Sequence, residues 1–178
     1  MSEPEKGVYD TMNKGILKAT GEYCIFMNSG DCFYSNDVVE NVTPHLNGTD
    51  IIYGNTHYTD GKIRYSKDEP PYFSFFYISG WAHQATFIKT ELLKKYMYDD
   101  SYKIVSDWKF LLQVVIKDNC TCLSIDQNIS LFDATGISST NNDLIVREKK
   151  EVLNERELLV VLEMVFILQL LKDTLREH

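Results

Sequence analysis

The sequence predicts an α/β layered domain, a mixed sheet flanked by helices. Segments with helical spacing alternate with short apolar runs of strand type from residue 8 onward. Polar turns rich in Asn, Ser, Gly and Asp stand at the junctions. The chain has 178 residues, so one domain is the default and a core needs no disulfide or metal staples.

Residues 8–19 read as a helix, because Val8, Met12, Ile16 and Ala19 recur at helical spacing and Thr20-Gly21 stops them. Residues 22–27 read as a short buried strand that ends in the polar turn Asn28-Ser29-Gly30-Asp31. Ser35 or Asn36 can cap a second helix running to about Leu46. Residues 50–58 and 62–66 look like two strands, with Asp60-Gly61 as the hairpin turn between them. Pro70-Pro71 breaks the chain, and 72–78 is an aromatic run without clear period. Residues 83–89 read as a strand and 90–96 as a short helix. Ser106 is placed as the N-cap of a helix over 107–117, with Phe110, Leu111, Val114 and Val115 on one face. Residues 121–132 are strand-like, 136–142 form a polar loop, and the pattern from 143 to the end is helical.

Hydrophobic residues make up 44% and charged residues 25% of the chain, which is ordinary for a globular protein and argues against disorder. The formal net charge is −8, with no basic cluster to offset it. Nucleic acid is therefore excluded as a partner, since its binding depends on Lys and Arg neutralising phosphates. An anionic ligand needs a bridging cation instead. Cys24, Cys32, Cys120 and Cys122 form no C-x-x-C pair, which favours free thiols in a reducing cytosol over a zinc site. The polar, acidic start predicts no secretory leader. The apolar run at 158–171 is shorter than the roughly 20 residues of a bilayer span. It reads as a buried or dimer-packing helix, with an interfacial membrane helix as the other reading.

Three constellations carry chemistry. Asn28-Ser29-Gly30-Asp31 directly follows a strand, where ligands bind in open α/β sheets. Asp31 there could hold Mg²⁺ or Mn²⁺, or could equally sit in a plain turn. In Ser106-Asp107-Trp108, Asp107 meets the positive end of a helix, which favours an ionised carboxylate able to act as a general base. Read alone, that Asp is ordinary for a first helical turn. His83-Gln84 opens a strand; a His there can bind metal or phosphate, although a lone His more often makes a structural hydrogen bond.

Read together, the motifs are more specific. Ser2-Glu3-Pro4-Glu5-Lys6-Gly7-Val8-Tyr9-Asp10-Thr11-Met12-Asn13-Lys14-Gly15-Ile16, then Ala19-Thr20-Gly21-Glu22-Tyr23, resembles a block of bacterial family-2 glycosyltransferases. Phe26-Met27-Asn28-Ser29-Gly30-Asp31-Cys32-Phe33-Tyr34 resembles the family's next block. His83-Gln84-Ala85-Thr86-Phe87, Tyr102-Lys103-Ile104-Val105-Ser106-Asp107-Trp108 and Gly136-Ile137-Ser138-Ser139-Thr140 follow in the family's order. The likeness covers about residues 2–153.

This resemblance implies an incomplete GT-A fold over 1–142 and a C-terminal helical segment over 143–178, the latter carrying the apolar helix. It implies an inverting transfer of sugar from a nucleotide-sugar donor to a glycan or glycolipid acceptor, assisted by a divalent cation, Mn²⁺ or Mg²⁺. Asp107 matches the position of the catalytic base. Asp31 resembles the last carboxylate of the family's D-x-D metal motif; Asn28-Ser29-Gly30 departs from the rest of it. Lys6, Gly7, Asp10, Asn28, His83, Gln84 and Trp108 fall at substrate-binding positions. The family's opening βαβ nucleotide unit has no counterpart here, so a truncated start is expected. The implied setting is cytoplasmic, at the inner face of the membrane, and the C-terminal helix is the expected homo-oligomer contact. The other class of function with the same fold is a non-catalytic module that associates through its incomplete sheet or that helix.

Overall fold

The computed structural model describes residues 7–69, 71, 79–133 and 141–155. Lys6, the aromatic run, most of the 136–142 loop and the apolar 158–171 segment lie outside these residues.

The architecture is a mixed sheet with helices on both faces. In chain order the elements are α1 (Val8–Lys18), β1 (Tyr23–Cys24), β2 (Cys32–Phe33), α2 (Val38–Val42), β3 (Ile51–Tyr58) and β4 (Ile63–Arg64). Then follow β5 (Thr86–Lys89), α3 (Thr90–Tyr96), α4 (Ser106–Leu111), β6 (Cys122–Phe132) and α5 (Asn142–Leu153). The strand order is β1-β5-β3-β6-β2, with β4 paired to β3. β3 and β6 run parallel, and every other pair is antiparallel.

β3 explains the layering. Its first six residues are all buried, the pattern of a strand covered on both faces. Alternation sends Ile51 and Tyr53 to one face and Ile52 to the other. On the first face they pack with Tyr9, Met12 and Ile16 of α1, Leu93 of α3 and Phe110 and Leu111 of α4. On the second face Ile52 packs with Val38 and Val42 of α2 and with Ile125 and Ile129 of β6. α5 joins the first layer through fully buried Val152.

Gly54 lies where the β3–β6 register shifts, between Tyr53 and Asn55. A Cβ there would stand 2.7 Å from the Gln127 carbonyl oxygen and press into Ile129. Only glycine lets the two backbones approach this closely.

Several boundaries differ from the sequence reading. The strand expected over 22–27 pairs only at Tyr23 and Cys24, against Lys89 and Ile88. Residues 25–27 leave the ladder and lead into the Asn28 turn. Residues 83–85 form a 3₁₀ turn, so the next strand begins at Thr86. Helix α2 begins at Val38 with Asp37 as N-cap, and Ser35 bonds the Asp37 carboxylate instead of a helix amide. At α4 the N-cap is Val105, not Ser106, and from Leu112 to Lys117 the helix widens into a π-helix. An amide-to-carbonyl bond from Asp118 to Gln113, 3.1 Å, spans the wider turn.

Candidate active site

A cavity of about 860 Å³ opens where the ends of several elements meet. Gly7 and Asp10 reach it from the start of α1, and Asn28 and Asp31 from the turn after β1. His83 and Gln84 come from the 3₁₀ turn before β5, and Asp107 from the first turn of α4. The expected substrate, metal and base positions are thus brought together from four separate stretches. Among the described residues Trp108 is the exception. Its ring is buried in the core against Gly80, where a Cβ would lie 3.0 Å from Trp108 Cδ1, and it does not line the cavity.

Asp107 is the hub. Its Oδ1 lies 2.8 Å from the Tyr9 hydroxyl, and its Oδ2 lies 3.1 Å from His83 Nδ1. The Tyr9 hydroxyl is also 2.6 Å from the Ile104 carbonyl, so its single proton is shared between two acceptors. His83 Nε2 faces the Asn28 amide nitrogen at 3.0 Å. That nitrogen only donates, so Nε2 accepts and the ring proton sits on Nδ1, pointing at Asp107. The Asp107 and His83 side chains are 21% and 15% exposed, enough for a ligand in the cavity to reach them.

The electrostatics follow from this geometry. Burial alone pushes the Asp107 carboxyl up. The hydrogen bond from His83, the Tyr9 hydroxyl and the Trp108 backbone N–H outweigh it and hold the group below the usual aspartate range. Asp107 is therefore ionised at neutral pH. Burial and the Asp107 charge push the Tyr9 hydroxyl well above its ordinary value, so it stays a donor.

At the other end of the cavity, Asp31 accepts three N–H bonds. Gln84 Nε2 and the backbone N–H of Asn28 donate to Oδ2 at 2.9 and 3.3 Å, and the backbone N–H of Asp133 donates to Oδ1 at 3.0 Å. Gly30 has φ 94°, and a Cβ there would stand 2.7 Å from the Asp133 carboxylate. Asp133 therefore presses against the same turn as Asp31. Among the described residues no cluster of three His, Cys, Asp or Glu has ligating geometry. The acidic pair nonetheless offers hard oxygen donors, and Mg²⁺ or Mn²⁺ on a nucleotide needs only one or two carboxylates beside the phosphates.

Tyr9, Asp133 and Arg64 also line the cavity and were not singled out in the sequence. Asp133 directly follows β6, so the strand-end rule could have flagged it, whereas Tyr9 sits on α1 inside the opening block. Arg64 carries no motif; its place follows from its ion pair with Glu69 and its 2.8 Å bond to the Gly80 carbonyl.

No family model matches the sequence. An uncharacterised glycosyltransferase of Mycobacterium tuberculosis is 29% identical over 156 residues, covering 78% of this chain and 55% of the relative. A PGL/p-HBAD biosynthesis glycosyltransferase of Mycobacterium bovis is 26% identical over 116 residues, covering 61% of this chain and 43% of the relative. The structure of S. aureus TarS 1-349 superposes with a TM-score of 0.60 at 16% identity, over 88% of this chain and 48% of TarS. The same protein in complex with UDP-GlcNAc gives a TM-score of 0.63 at 14% identity, over 87% and 50% of the two chains. The chain thus spans about half the length of the curated relatives it matches. No helix among the described residues is long and apolar enough to cross a membrane. In sequence the chain is similar to glycosyltransferases, and it shares the fold of a protein solved with a nucleotide sugar bound.

Proposed function

We propose that the chain carries the catalytic end of a family-2 glycosyltransferase of the GT-A type, moving a sugar from a nucleotide-sugar donor to an acceptor hydroxyl of a glycan or glycolipid. The observation that carries this reading is the cavity itself, with an ionised Asp107 at one end and the Asp31–Asp133 pair at the other.

Asp107 is the base. After the Tyr9, His83 and Trp108 N–H contacts the carboxylate keeps one lone pair, with which it can take the proton of an acceptor hydroxyl. The freed oxygen attacks the anomeric carbon as the nucleoside diphosphate leaves from the opposite side, and this single displacement inverts the centre. His83, fixed between Asn28 and Asp107, keeps the carboxylate oriented and steadies its charge. Asp31, with Asp133 beside it, would hold a divalent cation on the diphosphate, and such a cation supplies neutralisation of the leaving charge. Gln84 orients Asp31 through its 2.9 Å bond. A UDP-sugar is the first donor to test, because TarS was solved with UDP-GlcNAc.

The test is UDP release from UDP-GlcNAc and related donors with Mn²⁺, comparing the chain with Asp107→Asn. Loss of a positioned general base predicts a drop of about 10²- to 10⁴-fold with the fold retained. Equal turnover by the variant removes Asp107 from the chemistry. No turnover by a folded wild-type chain favours the non-catalytic association module.

A further inference from the structure

Helix α4, which carries Asp107, has no side-chain cap of its own. Val105 occupies the N-cap and its apolar side chain accepts nothing. The acceptor comes from α5. Glu148, only 5% exposed, receives the backbone N–H groups of Lys103, Ile104 and Val105 at 2.9, 3.0 and 3.3 Å. One carboxyl group thus fixes three successive peptide units immediately before Asp107.

Those units lead straight to the base. The Ile104 carbonyl accepts the Tyr9 hydroxyl that also touches Asp107 Oδ1. Lys103 and Ile104 themselves line the cavity. The chain around α5 grips the same segment at three further points. Glu155 accepts the Tyr102 hydroxyl at 2.8 Å and Lys109 Nζ at 2.6 Å, and Lys149 Nζ lies 4.7 Å from the centre of the Trp108 ring. Residues 102–109 are therefore held from α5 on both sides of Asp107.

We infer that Glu148 is a positioning residue for the base: it sets the 103–105 backbone so that the Ile104 carbonyl, Tyr9 and Asp107 keep their mutual register. This rests on the reading of Asp107 as the base. A buried carboxyl with three backbone partners is expensive to remove, since three amides lose their acceptor together. Part of that loss falls on stability. The part specific to positioning falls on the chemical step, because a displacement of about 1 Å can slow an oriented reaction about 100-fold.

The experiment uses the full chain with UDP-GlcNAc and Mn²⁺, measuring kcat and KM for UDP release together with the melting temperature. The variants are Glu148→Ala, Glu148→Gln, Asp107→Asn and, on the exposed face of α5, Glu151→Ala. The expected result is a kcat about 10- to 100-fold lower in Glu148→Ala, with donor KM changed less than about twofold. Glu148→Gln, which keeps an acceptor oxygen in place, should recover most of that loss, and Glu151→Ala should match wild type. If Glu148→Ala does not fold, Glu148→Asp decides, because its shorter side chain cannot keep all three amide contacts: a reduced kcat at unchanged KM supports positioning, and wild-type kinetics overturns it. Wild-type kcat in Glu148→Ala with Asp107→Asn inactive overturns the Glu148 inference alone. An Asp107→Asn as active as wild type, or no turnover by any form, overturns the base reading and the inference with it.

Discussion

Asp107 owes its ionised state to its neighbours. In water an aspartate titrates near ~3.9. In this fold burial raises it, and His83, Tyr9 and the Trp108 amide more than reverse that. Because the folded-state value is depressed, the ionised form contributes stability above the unfolded value. That contribution is lost as the pH falls through the depressed one. Urea unfolding at pH 7 and at pH 3 should therefore show a larger loss of stability for wild type than for Asp107→Asn, which cannot titrate there. Equal losses would mean that the Asp107 contacts do not favour the carboxylate. Asp107, Asp31, His83 and Gln84 were legible as candidates only through the order of their blocks taken together, since each alone was open to a plain structural reading. The sequence could not show Glu148, whose three partners lie 43 to 45 residues away and are all backbone amides. A backbone amide leaves no trace in residue type, so no pattern announces the side chain that will cap it. Trp108 failed for the converse reason: its neighbour in sequence faces the cavity, but the helical turn carries the indole into the core.

At the level of elements, the order of helices and strands was legible and their ends were not. Helical spacing along α1 and the apolar runs of β3, β5 and β6 were strong enough to survive tertiary context. β1 shrank to two residues because strand length is set by a partner, and of residues 22–27 only Tyr23 and Cys24 pair with β5. β2 was missed altogether; its Cys32 and Phe33 are strand only through pairing with Leu131 and Ser130. The π-helix after α4 has no sequence marker either, since its wider bonds use the same apolar residues as an α-helix would. Gly54 gives the sharpest test of the sheet. Gly54→Ala would place a methyl group 2.7 Å from the Gln127 carbonyl and against Ile129. Such overpacking costs about 1–3 kcal/mol. Chemical denaturation should show a lower midpoint with an unchanged slope; an unaltered midpoint would mean that β3 and β6 are not this close.

Across the whole molecule, the sheet serves as a plate whose two covered faces leave the element ends free to converge on one cavity. Asp107 and the acidic pair reach that cavity from separate elements, α4 on one hand and the turns after β1 and β6 on the other. Under the proposed function, a chain with formal net charge −8 would receive a diphosphate through a cation on Asp31 and Asp133 that makes the approach favourable. Calorimetric titration with UDP, with and without Mn²⁺, for wild type and Asp31→Ala, tests that claim most directly. Wild type should bind saturably only when Mn²⁺ is present, and Asp31→Ala should bind at least about tenfold more weakly, since a metal-held phosphate contact is worth more than the ~1.4 kcal/mol of one decade. Binding that is indifferent to Mn²⁺ and to Asp31, or no binding by the folded chain, would contradict that claim.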